Sequence, residues 1–300
     1  MLYVQNKIGC VNLSYVSRLI VYCTIILFAN SFIFAQGDEQ QSDYENFDPS
    51  NFDKSSINVD NPWFPLVPWT QLVYEGSTEE DGERIPHRVV FTVTNLTKVI
   101  GGVNTVVCWD QDYADGELEE SELVFFAQDK NGTVWHFGQY PEEYDEGKLI
   151  EAPCWLHGFE DAVAGIIMKT DPQLGSPSYS QGWAPSVDWT DRAIVYKMGE
   201  TTNVPAGTYE DVLIMDETSL SEPDAHQLKY YARGVGNVRV GWYGEGEISK
   251  ETLELVDIFE LIMGAREEVL TEVLGLERRA YENSEDIYGL TVPLVQRMEE

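Results

Sequence analysis

Three two-residue turns, Gly101-Gly102, Asp115-Gly116 and Asn131-Gly132, fall roughly 15 residues apart between stretches rich in β-branched and aromatic residues. Each turn supplies the positive φ that a tight hairpin requires, so the stretches Arg88 to Val99, Val103 to Tyr113, Glu117 to Gln128 and Thr133 to Phe137 read as consecutive antiparallel strands. Leu72-Val73-Tyr74 before Gly76 adds a strand upstream. Downstream, Ala193 to Lys197, Glu210 to Met215, Gln227 to Ala232, Gly236 to Trp242 and Lys250 to Asp257 carry the same character. The period then changes. Ile262, Ala265, Val269, Val273, Leu276 and Ala280 recur at steps of three and four, which is the stripe of an amphipathic helix. The expected fold is therefore mainly β: a long curved antiparallel meander, a half-barrel or open barrel, with a C-terminal helix covering one face.

The start of the chain speaks to compartment. Lys7 and Arg18 precede an apolar run from Leu19 to Phe34, and no acidic residue occurs before Asp38. The run is shorter than the roughly 20 strictly apolar residues of a spanning helix, and Ala35 offers the small residue of a cleavage site. Residues 1–35 thus read as a cleaved signal peptide, and the mature protein as secreted or periplasmic. Residues 36–61 are polar and acidic and read as a disordered linker, residues 62–257 as the β domain, and residues 258–300 as the helix and a tail packing on it.

Charge narrows the partners. The chain holds 52 acidic against 19 basic residues, a net charge of −33. That field repels nucleic-acid phosphate and anionic lipid, so neither a nucleic acid nor an anionic membrane surface is an expected partner. Oligomeric state is not encoded in any pattern here. Cys108 and Cys154 both lie in the mature part, and in an oxidising compartment they form a candidate disulfide worth about 4 kcal/mol in the chain-entropy model.

Several motifs share a pattern. Trp63-Phe64-Pro65-Leu66-Val67-Pro68, Tyr74-Glu75-Gly76, Phe126 to Trp135 and Tyr230-Tyr231-Ala232-Arg233-Gly234-Val235-Gly236 resemble secreted bacterial β-rich proteins of uncharacterised function. The likeness spans residues 60 to 257. It departs at Trp69, where the pattern carries Gly, and through Cys154 to Asp161. The resemblance implies the domain boundary and no activity.

Chemical motifs are sparse. There is no Gly-x-Ser-x-Gly elbow, no phosphate-binding Gly-x-x-x-x-Gly-Lys and no His-Glu-x-x-His, which weighs against an enzyme. Asp110, Asp112, Asp115 and Glu119 approach a calcium loop, but Ala114 occupies the fifth position and Gly116 comes one place late, so a solvated hairpin tip is the plainer reading. No cofactor and no metal site is expected. His157, Glu160 and Asp161 form the one cluster offering nitrogen and oxygen together, and are the weak catalytic candidates. The irregular stretch from 153 to 191 holds Trp155, Tyr179, Trp183 and Trp189, which could stack on a sugar or line an apolar cleft, or simply plug the sheet as core. The leading expectation is a non-catalytic extracytoplasmic binding module for a small apolar or glycan ligand, held between sheet and helix by those aromatics. A hydrolase or lyase of extracellular polysaccharide and a cation-dependent surface interaction protein are the alternatives.

Overall fold

A computed structural model describes residues 43–80, 82–220, 224–244 and 250–297. The expected signal peptide and the first residues of the expected linker lie outside this range. Two of the three glycine turns act as expected: Gly101 and Gly102 have φ of 56° and 82°, and Asp115 and Gly116 have 49° and 87°, whereas at Asn131-Gly132 only Gly132 is left-handed, with φ of 87°, inside a longer loop closed by the Asp129 N–H donating to the Thr133 carbonyl. The chain runs through β1 (Thr70–Glu80), β2 (Glu83–Ile100), β3 (Val103–Ala114), β4 (Glu117–Gln128) and β5 (Val134–Asp145) as a succession of antiparallel neighbours, with these turns between β2 and β5. The irregular stretch contributes β6 (Lys148–Glu151), β7 (Trp155–Leu156), β8 (Val163–Met168), β9 (Tyr179–Ser180) and β10 (Gly182–Trp183). Long strands then resume as β11 (Arg192–Val204), β12 (Gly207–Thr218), β13 (His226–Ala232), β14 (Gly236–Tyr243) and β15 (Thr252–Glu260). Helix α1 (Met263–Asn283) and a last strand, β16 (Val295–Gln296), complete the described chain.

All these strands belong to one open antiparallel sheet in the order β10-β8-β5-β4-β3-β2-β1-β15-β14-β13-β12-β11-β9, with β6 and β7 on β5 and β16 on β2. Two meanders therefore meet at the β1–β15 ladder. The two ends of the order, β10 and β9, are consecutive in the chain and separated by Gln181 alone. A sheet whose edges are one residue apart in sequence must curl until those edges nearly touch. Register shifts in β1–β15, β2–β3, β3–β4, β4–β5, β11–β12 and β13–β14 mark the bulges that bend the strands.

The curl defines a concave and a convex face. Phe64 packs edge-on against Phe126 of β4 at 5.2 Å and, tilted, against Tyr231 of β13 at 6.4 Å, bridging strands far apart in the sheet order, so the face bearing Phe126 and Tyr231 is concave. The tip of the β11–β12 hairpin reaches back to β15, where the Ala206 N–H donates to the Leu255 carbonyl at 3.0 Å. It buries Val204 among Leu72, Tyr74, Val238, Val240, Leu253 and Leu255.

Helix α1 covers the convex face. Val269, Val273, Leu276 and Ala280 are its buried stripe, as the periodicity predicts, whereas Ile262 precedes the helix and is exposed. Val107, Phe125, Tyr140, Val273 and Tyr288 are fully buried, so among the described residues apolar side chains fill the layer between sheet and helix. The expectation of a ligand between them is corrected: apolar complementarity fills that layer. Residues 43–59 also differ from the disordered linker expected of them. Phe52 is buried, and Phe47 meets Phe137 edge-on at 5.6 Å and His157 at a tilt at 4.2 Å, giving this acidic segment the apolar anchors its ordering needs.

Candidate functional site

The curled sheet carries its polar side chains at one end of the concave face. In β3 and β4, Asp110 pairs with Glu122 and Asp112 with Glu120, and in β2 Phe91 and Val89 stand beside them in register. Period two puts all of these on the face that also bears Cys108, Val124 and Phe126. Asp110 and Asp112 are thus strand residues, and only Asp115 of that acidic run belongs to a hairpin tip. Burial, together with Asp112 and Glu120, pushes the Asp110 carboxyl up to about 8. Burial and the charges of Glu120 and Asp110 raise Glu122 well above the carboxylate range, and its Oε2 is buried without a hydrogen-bond partner among the described residues. Burial and mutual repulsion thus shift both carboxyls toward their protonated forms.

His87 and Lys229 stand in the same concavity, each engaged with carboxylates. His87 on β2 bonds Asp112 through Nε2 and lies 2.9 Å from Glu251 through Nδ1. Burial alone would lower its pKa, but the hydrogen bonds to Asp112 and Glu251 outweigh that and raise it to about 10, so the ring is an imidazolium. Lys229 on β13 pairs with Glu217 at 2.7 Å, and the Gln181 side chain donates to the other Glu217 oxygen at 2.8 Å. The one residue between the sheet's two edges is thereby tied to the ion pair across it. The charge of Lys229 reaches Asp110, Glu122 and His136, three residues on the opposite wall. Solvent still reaches this end: the side chains of Asp112 and Lys229 are 34% and 29% exposed.

Beside Gln181 the aromatics of the irregular stretch gather. The Trp155 and Trp189 rings lie 5.8 Å apart, and His136 contacts them at 4.9 Å and 5.3 Å. Burial holds His136 down to about 3, so it is neutral. Gly182 lets the two indoles close over the backbone, because a Cβ there would lie 2.6 Å from Trp189 Nε1. Trp155 and Tyr179 are 2% and 3% exposed. Nevertheless Trp155 Nε1, Trp189 Nε1 and Tyr179 Oη are buried with no hydrogen-bond partner among the described residues. Trp183 lies apart, half-buried, with its ring 6.4 Å from Tyr44.

No family model matches the chain, and no curated protein does. Solved structures do. This chain is similar to a protein designated an exported protein with a YmcC-like fold from Bacteroides fragilis, at 14% identity and a TM-score of 0.39 over 66% of this chain and 99% of that one. It is also similar to a protein designated a lipoprotein from Parabacteroides distasonis, at 13% identity and a TM-score of 0.35 over 66% of this chain and 98% of that one.

The remaining sequence candidates do not converge. His157 sits in the turn after β7, its Nδ1 accepting the Ala164 N–H at 3.1 Å, and burial lowers its pKa. Glu160 and Asp161 are exposed, with φ of 48° and 62°, and form the turn closed by the Gly158 N–H to the Ala162 carbonyl. Trp183 pairs with Val163, two residues beyond Asp161, in the β8–β10 ladder. Cys108 and Cys154 are both free, which corrects the disulfide. Cys108 faces the concave side opposite Val93 and Val124, while Cys154 sits with Ser284 and Lys98 under the convex-face elements. The sheet itself stands between the two sulfurs. Among the described residues no three His, Cys, Asp or Glu side chains converge as metal ligands.

Proposed function

We propose that this chain is a non-catalytic extracytoplasmic binding module whose ligand is a glycan held in the concavity of the curled sheet. The observation that carries the reading is the set of buried, unpartnered donors on Trp155, Trp189 and Tyr179. A buried hydroxyl or indole N–H without a partner costs about 1–3 kcal/mol, which an apolar ligand would leave unrelieved and a hydroxyl-rich one would recover. Aromatic rings beside carboxylates and amides also suit sugar rings, whose faces are apolar and whose edges are polar. Trp242, half-buried and opposite Gln227 in the β13–β14 register, extends the aromatic wall toward the acidic end. Export rests on the N-terminal sequence.

Tyr179→Phe tests the reading, because it deletes one oxygen and keeps the ring. Binding to a glycan array should weaken by about tenfold while the melting temperature holds or rises, since an unpartnered hydroxyl leaves the core. Unchanged binding of an array hit would overturn it. A polysaccharide hydrolase or lyase draws on one different observation, the facing Asp110 and Glu122 carboxyls, both raised by burial and mutual charge, in a partly wet concavity. Turnover of a bound glycan that disappears in Asp110→Asn with affinity retained would favour it.

A further inference from the structure

We infer that the ligand of the concavity carries a primary ammonium group, as an amino-sugar unit does, and that Asp110 and Glu122 receive it. The inference rests on the glycan reading above and names its chemical class.

The two carboxyls are direct cross-strand partners, which sets their Cβ atoms about 5 Å apart. Phe91 flanks Asp110 on β2 and Pro141 flanks Glu122 on β5, so neither has a charged neighbour along that row. Lys229 is committed to Glu217, and His87 to Asp112 and Glu251. Two carboxyls directly opposite one another cannot both ionise without cost unless a cation joins them, and here Glu122 Oε2 has no partner among the described residues. A metal would require a third converging ligand, which the described residues do not supply. An ammonium, with three donors and no acceptor, needs only such a pair.

An independent observation points to a ligand farther along the same concave face. Trp155 and Tyr179, each more than nine-tenths buried, hold unpartnered donors on this face. Tyr179 feels the charge of Glu217, which pairs with Lys229, whose own charge reaches Asp110 and Glu122. Along β4, Glu122 and Phe126, the partner of His136, are four residues or about 13 Å apart. That separation suits an oligosaccharide whose amine sits at one end and whose hydroxyls meet the indoles at the other.

The test is calorimetric titration of the protein at neutral pH with a β-1,4-linked glucosamine tetramer and with its fully N-acetylated counterpart. The amine form should bind at least tenfold more tightly, and Asp110→Asn and Glu122→Gln should each erase that preference without lowering the melting temperature. Repeating the titration in two buffers of different ionisation enthalpy should reveal proton release on binding of the amine form. Equal binding of the two tetramers overturns the ammonium and leaves the glycan reading standing. Failure of both tetramers to bind also overturns it, and the Tyr179→Phe array experiment then decides the glycan reading alone.

Discussion

Asp110 and Glu122 face each other directly across the β3–β4 ladder, one alternate row from Asp112 and Glu120. Burial among like charges keeps a proton on Asp110 up to about pH 8. The folded protein therefore holds a proton that the unfolded chain has released above about pH 4. The sign follows: stability falls as pH rises from about 4 to 8. Asp110→Asn should flatten that slope, and chemical denaturation at pH 5 and pH 8 measures it. An unchanged slope would mean that the carboxyl is ionised in the folded state.

His87 acts in the adjoining window. Its folded pKa of about 10 lies above the ordinary histidine value, so its stabilisation is present in full below about pH 6.5 and is lost as pH rises through 10. His87→Gln should cost stability at pH 6 and progressively less toward pH 10. A cost that is flat with pH would show that packing, not charge, is what the ring supplies.

The acidic concavity was hidden from the sequence by one bulge. Counting back from the Asp115-Gly116 turn pairs Ala114 with Glu117 and Tyr113 with Leu118, and would set Asp112 against Glu119 and Asp110 against Ser121. A register shift between Asp112 and Tyr113 moves the partner by one, bringing Glu120 and Glu122 onto the face of Asp110. Bulges leave no compositional mark of this kind, whereas the hairpins did, because positive φ selects Gly and Asp-Gly. The helix was equally legible from its stripe. Lys229 and Gln181 were not, since their meeting with the far wall depends on the curl of the whole sheet.

Trp69 is strained where the pattern of the resemblance has Gly. Its φ is 71°, its N–H donates to the Val93 carbonyl at 2.7 Å, and its ring is buried beneath Arg266. Removing the ring costs about 3–5 kcal/mol, but Gly alone escapes the left-handed penalty of about 1 kcal/mol. Trp69→Gly should therefore be more stable than Trp69→Ala by about 1 kcal/mol in urea denaturation. The usual order, with Ala ahead, would contradict the backbone argument.

Arg279 anchors the helix to the sheet. It reaches Glu142, whose side chain is fully buried, through Nε and Nη2 at 2.8 Å, and Tyr140 donates to the same carboxylate at 2.8 Å. Burial would raise Glu142, yet the hydrogen bonds from Arg279, Tyr144 and Tyr140 hold it below the ordinary glutamate value. Arg279→Ala strands that charge and should cost about 3 kcal/mol at pH 7. Glu142→Gln, which removes the charge and keeps the shape, should cost less, and a thermal melt of both variants orders them.

Gly182 decides whether the two edges of the sheet can meet. Its φ of 150° and the approach of Trp189 Nε1 and Trp155 Cη2, 2.6 Å and 2.7 Å from where a Cβ would stand, leave no room for any side chain. Neither indole can retreat easily, because Trp155 is buried and both rings are held against His136. Gly182→Ala must then displace the backbone that joins β9 to β10, and with it Gln181 and its bond to Glu217. The expected result is a loss of about 2–4 kcal/mol with the rest of the sheet intact, seen as faster amide exchange confined to β8–β11. Glycan binding should fall in the same variant, since Trp155 and Trp189 would no longer share one wall. If exchange rises evenly across the whole sheet instead, the seam is not a separate unit, and the site cannot be opened without unfolding the protein.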